Sequence, residues 1–369
     1  MIQTDRKPLN DVATIIMGQS PSSDTYNKTG KGLPFYQGKA DFGDIYPTAR
    51  TWCVEPKKIA EEDDILISVR APVGPTNLAN ARCCIGRGLA AIRPLNKISD
   101  RDYLWYYLCF AKAVLEEKGQ GSTFESISTD DLNALSVPIP TINEQRRIAA
   151  RLKAQLAEVE KARQAVKEQL SEANKLAEVI IFDSLNNKQV VNHKLGDVLE
   201  EVKLGIGKNW AKYPVLGATR EGLAPAKEPP GKKPERYKPA FPGTVFYNPM
   251  RILIGSIAFV DDDNAPGITS PDYVVLKGKE GLIDSRWFYY WLRSPLGKQC
   301  INSLARGAVR ERMLFNRLAE GKITLPGYGI QKMASQALAE LKPLRLALQH
   351  KLDEITLLPQ QILARAFGG

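Results

Sequence analysis

Between residues 141 and 185 no glycine or proline interrupts the chain, and apolar side chains return every seven residues at Leu152, Val159, Val166, Ala173 and Ile180. Ile148, Leu156, Leu170 and Leu176 widen the stripe, while Arg146, Arg147, Lys153, Glu158, Glu160, Lys161, Lys167 and Glu168 fill the other faces. This period predicts a long amphipathic helix of coiled-coil type. Thr141-Ile-Asn-Glu144 offers a capping box at its start, a hydroxyl followed three residues later by a carboxylate. About 45 residues at roughly 1.5 Å each give a rod on the order of 65 Å, longer than a compact domain requires. A second stripe, Leu341, Leu348, Ile355 and Ile362, follows Leu325-Pro326. There Pro343 and Pro359 are expected to kink or stop the helix. A bundle core element or an oligomer zipper is the plain alternative for either helix.

Outside these helices the pattern shortens and mixes. Strands are expected at 64–70, 244–248, 252–260 and 273–276, where β-branched and aromatic residues are bounded by Pro and Gly. Helices rich in aromatics are expected at 102–117 and 285–304. Tyr103-Leu-Trp-Tyr-Tyr-Leu108 in the first corresponds to Trp287-Phe-Tyr-Tyr-Trp-Leu292 in the second. Such clusters can stack on bases, but aromatics at helical spacing are more often core. The chain therefore divides into a mixed domain at 1–140, a long helix at 141–186, a second mixed domain at 187–327 and a second long helix at 328–369.

The two halves repeat one another. Leu9-Asn-Asp-Val12 returns as Leu195-Gly-Asp-Val198, Gly121 as Gly307, Ile139-Pro140 as Leu325-Pro326, and Gln145 as Gln331. From 9 to 195, 121 to 307, 140 to 326 and 145 to 331 the shift is the same 186. That period is one whole domain with its appendage, far above the 20–50 residues of a solenoid. The first helix leads from one globular domain to the next and the second leaves the latter. If they pack together they run antiparallel, related by a pseudo-two-fold axis. The expected fold class is α+β: two similar mixed domains separated by two long antiparallel coiled-coil helices.

Composition narrows the partner. Of 369 residues, 43% are hydrophobic and 25% charged, an ordinary globular balance. Lysine and arginine number 51 against 41 acids, a formal +10 that favours a polyanion, nucleic acid before membrane. No apolar run approaches membrane-spanning length, and the polar opening Met1-Ile-Gln-Thr-Asp-Arg-Lys7 does not read as a signal peptide. Cys53, Cys83, Cys84, Cys109 and Cys300 are odd in number and lack Cys-x-x-Cys spacing, which argues against a disulfide framework or zinc site and for a reducing cytoplasm.

No catalytic set emerges. The two histidines, His193 and His350, fall in a linker and on the second helix. Gly205-Ile-Gly207 lacks the third glycine of a dinucleotide turn. Phe246-Tyr-Asn-Pro-Met250 superficially resembles an adenine-methyltransferase site, but Met250 and Arg251 stand where a second proline and a stacking aromatic belong, so a strand end is the better reading. Pro271-Asp272 with Lys277-Gly-Lys279 lacks the second carboxylate of a magnesium nuclease. Glu61-Glu-Asp-Asp64 and Asp261-Asp-Asp263 are expected to be solvated acidic turns rather than cation sites.

The pattern resembles the DNA-specificity (S) subunit of type I restriction–modification systems over nearly the whole chain. The carriers are Ile16-Met-Gly-Gln-Ser-Pro-Ser22, Asp64-Ile-Leu-Ile-Ser-Val-Arg-Ala-Pro-Val-Gly74, Gly119-Gln-Gly-Ser-Thr-Phe-Glu-Ser-Ile-Ser128, and Leu135-Ser-Val-Pro-Ile-Pro-Thr-Ile-Asn-Glu-Gln-Arg-Arg-Ile148 running into the helix. The resemblance implies two target-recognition domains, each reading half of a split duplex site, with the paired helices setting the gap and docking methyltransferase subunits. It implies no cofactor on this chain: S-adenosylmethionine belongs to two methyltransferase (M) partners that modify adenine, and ATP with magnesium to a translocating restriction (R) partner. The second half departs from the pattern. Gly307-Ala-Val-Arg310 replaces Gly121-Ser-Thr-Phe124, and Gln331 has no Glu before it.

On DNA, phosphate contacts position and base-edge contacts specify. Candidates for positioning are Lys39, Arg50, Lys203, Lys208 and the basic, proline-stiffened stretch from Lys227 to Lys238 that contains Lys232 and Lys233. A solvated surface loop is the rival reading of that stretch. Candidates for base reading are Gln19, Ser20, Ser22, Arg70, Ser122 and Thr123 in the first domain, and Arg220, Arg251, Arg306 and Arg310 in the second. Arginine is favoured because its fork pairs with guanine in the major groove. An internal salt bridge is the rival for Arg70 and Arg251. Two other classes stay open on the residues alone: a DNA methyltransferase or nuclease in its own right, and a coiled-coil scaffold that touches no DNA.

Overall fold

The computed structural model describes residues 5–120, 126–186, 189–305 and 312–368. It separates into two compact units, Met1–Ala165 with Leu352–Gly369, and Val166–Lys351. The division does not follow the four sequence segments, because each unit takes part of both long helices.

In the first unit the strands Ala13–Met17, Leu89–Pro94, Ile65–Ser68 and Thr76–Leu78 lie side by side in that order, all antiparallel. Successive side chains of a strand point to opposite faces, and here both faces are covered. Ile65 and Ile67 join a core with Tyr103, Leu104 and Tyr107 of helix Arg101–Phe110, whereas Leu66 packs with Tyr36, Ala60 and Ile85 of a second sheet. That sheet has five very short strands in the order Tyr26–Asn27, Trp52–Cys53, Leu33–Tyr36, Cys83–Ile85 and Ile59–Ala60.

The second unit repeats the first arrangement. Leu199–Glu201, Val274–Gly278, Thr244–Tyr247 and Ile257–Val260 form an antiparallel sheet in that order. By rank along the chain, both sheets read first, fourth, second, third. A two-stranded ladder recurs as well: Arg6–Pro8 with Ser136–Pro138, and Val190–Lys194 with Lys322–Pro326. Lys7 faces Val137 and His193 faces Ile323, so both members of the pair shift by 186. The duplication seen in the letters is thus a duplication of pairing. The additions to the frame differ, for the second unit has only the paired strands Leu216–Ala218 with Leu223–Pro225 and Lys238–Ala240 with Gly267–Thr269.

Both long helices form, Ile142–Leu185 and Tyr328–Phe367. The first unit joins the start of one to the end of the other: Ala149 and Leu152 share a core with Leu363 and Phe367. In the second unit Arg345 donates to Asn174 at 2.9 Å. The buried stripe follows the predicted heptads through Leu152, Val166 and Ala173, and through Leu341, Leu348 and Ile355. At its far end it slips by one residue in both helices, to Ile181 instead of Ile180 and Leu363 instead of Ile362. A nearly straight helix of 3.6 residues per turn drifts about 20° per heptad against a strict seven-residue repeat, which accounts for the slip. Leu176, expected in the stripe, is exposed.

Several local expectations fail for identifiable reasons. Pro343 and Pro359 neither stop nor end the second helix, which continues through both. Pro343 lies on an exposed face, where water can meet the carbonyl it leaves free, and the buried stripe runs on either side. The helix expected at 285–304 is two, Ser285–Arg293 and Pro295–Leu304, because Ser294 turns extended (φ −68°, ψ 167°) and caps the second helix through Gly297 N–H. Its counterpart likewise splits into Arg101–Phe110 and Lys112–Gln120. Residues 252–254 form a helical turn, and the strand begins only at Ile257, after Gly255 takes a left-handed φ of 87°. The capping box is half made: Thr141 Oγ1 accepts from Glu144 N–H at 3.4 Å, but the Glu144 carboxylate turns to Arg147.

Candidate nucleic-acid interface

Sheet register places three of the candidate base readers, Gln19, Ser20 and Arg70, at one rim. Met17 pairs with Ala90 and Leu89 with Ser68, so Gln19, the 86–88 turn and Arg70 all lie just past the same end of the first sheet. Backbone closeness holds this rim together. A Cβ on Gly18 would sit 2.1 Å from the Gly86 carbonyl oxygen, and one on Gly88 2.2 Å from that of Gln37, so neither position admits a side chain. Gln19 N–H donates to the Ile85 carbonyl at 3.0 Å, leaving its exposed amide side chain outward. Ser20 Oγ accepts from Arg87 N–H at 3.3 Å. Ser22 is engaged locally, since its hydroxyl is the largest cause holding the Asp24 carboxyl below the usual range. Lys39 is exposed on the turn that follows Gly38, next to Gly88. Arg50 is exposed in the five-stranded insertion.

The equivalent rim of the second sheet follows from Glu201 facing Leu276 and Tyr247 facing Val274. Lys203 stands just beyond the first of these strands, with Glu201 3.8 Å away, and Arg251 beyond the second. Arg220 reaches the same turn, its Nε 3.4 Å from the Ile254 carbonyl. The internal salt bridges considered for Arg70 and Arg251 do not form among the described residues: both side chains are exposed and no ion pair holds either. A second grouping is the ridge. Lys208 lies on the turn Gly207–Lys212, which packs against Pro234–Arg236, and Lys232 and Lys233 are exposed beside it. Lys238 at the end of that stretch is not available to phosphate. It donates to the Tyr273 carbonyl at 2.7 Å, and desolvation lowers its pKa. Ser122, Thr123, Arg306 and Arg310 lie outside the described residues.

Sequence reasoning missed Arg87. It is exposed on the turn between Gly86 and Gly88, which places a cation in the middle of the first rim. The signal was present, since a basic residue between two glycines marks a close backbone approach with one outward side chain.

The features considered for catalysis have structural uses. Asp64 is buried and takes both arms of the Arg93 fork at 2.8 Å. Asp261, also buried, binds Arg286 and, at 3.2 Å, Lys342. Each acidic turn is solvated as expected except at its one buried carboxylate. Burial raises the Asp261 pKa, but the hydrogen bonds from Arg286, the Asp262 N–H and Lys342 outweigh it and leave the carboxyl below its ordinary value. Phe246 and Tyr247 are fully buried at a strand end, where no extruded base can stack, and burial pushes the Tyr247 hydroxyl up. The aromatic helices are core too: Tyr103 and Tyr107 lie against Phe367 with ring centres 5.4 Å apart, and Trp287 Nε1 donates to Ser184 Oγ at 2.9 Å. A groove of about 500 Å³ in the second unit is lined by Tyr289, Tyr290, Arg293 and Arg345. Both these arginines are already used, Arg293 on the carbonyls of Gly255 and Ile257 and Arg345 on Asn174 and Tyr290. Among the described residues no cluster of His, Cys, Asp or Glu fits a metal, and no helix is long and apolar enough to cross a membrane.

Comparison with known proteins gives this frame its relatives. Residues 2–169 match the model of the type I restriction modification DNA specificity domain. A putative type I restriction enzyme MjaX specificity subunit of Methanocaldococcus jannaschii is 46% identical over 161 residues, 44% of this chain and 38% of that protein. The HsdS subunit from Thermoanaerobacter tengcongensis is 48% identical over 45% of this chain and 40% of the solved one, with a TM-score of 0.41. The type I restriction-modification S subunit from M. genitalium, 15% identical, aligns with 100% of this chain and 97% of its own at a TM-score of 0.51, which establishes a shared fold. This chain thus spans about two fifths of the length of the first two relatives. Its first half is similar to the type I restriction modification DNA specificity domain, and its whole-chain fold is shared with an S subunit.

Proposed function

We propose that this chain reads DNA for a type I restriction–modification complex and carries out no chemistry itself. Each unit recognises one half of a bipartite duplex site through the rim of its four-stranded sheet, and the two long helices set the gap between the halves. The observation that carries this reading is the recurrence of one sheet order with exposed cations at the same rim, Arg70 and Arg87 in one unit, Lys203 and Arg251 in the other. Exposed apolar side chains on the long helices, among them Phe182, Met333, Leu346 and Leu357, offer docking surface for two methyltransferase subunits. S-adenosylmethionine then belongs to those subunits, and ATP with magnesium to a restriction subunit. The work is done beside the chromosome, in the cytoplasm, in keeping with five free cysteines.

The test is co-expression with a type I methyltransferase subunit from the same organism, followed by mapping of methylated adenines across the host genome. A split motif with one modified adenine per half is the expected result; methylation at an unsplit motif refutes the reading. Adding four residues within the first long helix should change the tolerated gap, and an unchanged gap refutes its role as a spacer.

A further inference from the structure

One side chain recurs in both units with its amide oxygen and both its N–H groups engaged in the same way. Gln145, wholly buried, accepts from Asp100 N–H at 2.8 Å and donates to the carbonyls of Ile98 and Pro140, each at 2.9 Å. Gln331, equally buried, accepts from Asp284 N–H at 2.9 Å and donates to Leu282 at 3.0 Å and Pro326 at 2.9 Å. A primary amide offers one acceptor oxygen and two donor hydrogens, and here a single group ties three segments: the loop entering the aromatic helix, the proline two residues before the long helix, and the long helix itself. The acid it holds is in each case the N-cap of the aromatic helix, Asp100 accepting from Tyr103 N–H and Asp284 from Trp287 N–H. The residue after each glutamine is basic and faces the same acid: Arg146 lies 3.8 Å from Asp100 and Lys332 3.4 Å from Asp284.

Replacing either amide by an apolar residue of similar shape would strand one backbone N–H and two carbonyls, so each amide is held in one orientation. What it supplies is direction, since three fixed bonds allow one angle between the mixed domain and the base of its helix. We infer that Gln145 and Gln331 are positioning residues that set how each reading rim is presented to the duplex, and so fix the permitted gap between half-sites. The inference rests on the proposed function and adds to it the residue that turns a helix of fixed length into a fixed register. Base pairs stack about 3.4 Å apart, so a small tilt of a rim at the helix base is enough to admit a neighbouring gap.

The experiment selects duplexes from a pool with randomised halves and variable gap, using the full-length chain together with its methyltransferase. Wild type should enrich one motif at one gap. Gln145→Met and Gln331→Met keep side-chain length and remove all three bonds. Each should leave the bases of both half-sites unchanged while preference for the wild-type gap over its one-base-pair neighbour falls about tenfold. Arg146→Ala and Lys332→Ala, which loosen the same junction from its solvent side, should shift the preference in the same direction by about two- to threefold. These decide the matter if the methionine variants do not fold. Unchanged gap preference with a lowered melting temperature, or altered bases in a half-site, overturns the positioning role. Failure of the wild-type chain to enrich any split motif overturns the proposed function itself, and this inference with it.

Discussion

The two units share a frame and differ in what is hung on it. The four-stranded sheet, the two-stranded ladder, the aromatic helix and the buried glutamine recur, and the ladder keeps its 186-residue offset. The insertions share nothing comparable: five short strands around Tyr36 and Cys84 in one, two separate strand pairs and a proline-rich ridge in the other. On the proposed function, the shared frame would fix how each rim is presented, and the divergent part would be free to vary with the bases read.

The largest effect expected from breaking the comparison is in the core. Trp287→Ala in the second unit should cost about 4 kcal/mol, because it empties a fully buried site and removes the indole N–H that donates to the Ser184 hydroxyl. Tyr103→Ala in the first should cost about 3 kcal/mol, with loss of its bond to the Pro138 carbonyl. Denaturant unfolding of the two variants checks both, and a loss below 1 kcal/mol in either refutes that aromatic helix as core.

Next is the buried ion pair. Asp261→Asn should cost about 3 kcal/mol by leaving Arg286 and Lys342 without their shared partner. The folded carboxyl titrates below its ordinary value, so its contribution is present above the unfolded pKa near 4 and is lost as pH falls through the folded one. Wild type should therefore lose stability between about pH 5 and pH 3 more steeply than the variant. Parallel acid titrations read by circular dichroism decide this, and identical slopes contradict it.

A smaller and more selective effect is expected at the rims. Arg70→Ala or Arg87→Ala should relax the bases of one half-site and Arg251→Ala those of the other, by about 1–3 kcal/mol of discrimination each. Weakening that is uniform across all sequences would make these phosphate contacts instead. Smallest of all, Lys232→Ala with Lys233→Ala should lower the slope of log affinity against log salt by about two while the preferred sequence stays the same. An unchanged slope takes the ridge off the DNA.

What the sequence disclosed follows from physics that acts over short stretches. Heptad spacing and an even offset are periodic signals, and both long helices and the repeat were legible from them. The insertion strands were not, since segments of two residues such as Tyr26–Asn27 and Ile59–Ala60 carry no period. Each acidic turn misled at its one buried carboxylate, for a different reason. Asp64 meets Arg93 and Asp261 meets Lys342 across 29 and 81 residues, and only the folded sheet shows that these acids are buried. Prolines 343 and 359 misled because local cost was weighed without the buried stripe on either side. Among the candidates, Lys203, Lys208, Arg220 and Arg251 were picked out by charge, whereas the rim that gathers all but Lys208 required strand register.

The first unit takes Leu363 and Phe367 into a core otherwise built from residues before 166. A ribosome delivers those two side chains only after the whole of the second unit has been made. The earlier-made domain must therefore wait, partly open at one aromatic helix, while its later twin is synthesised and can close first. A stall or truncation after residue 351 should leave the second domain intact and the first unfinished.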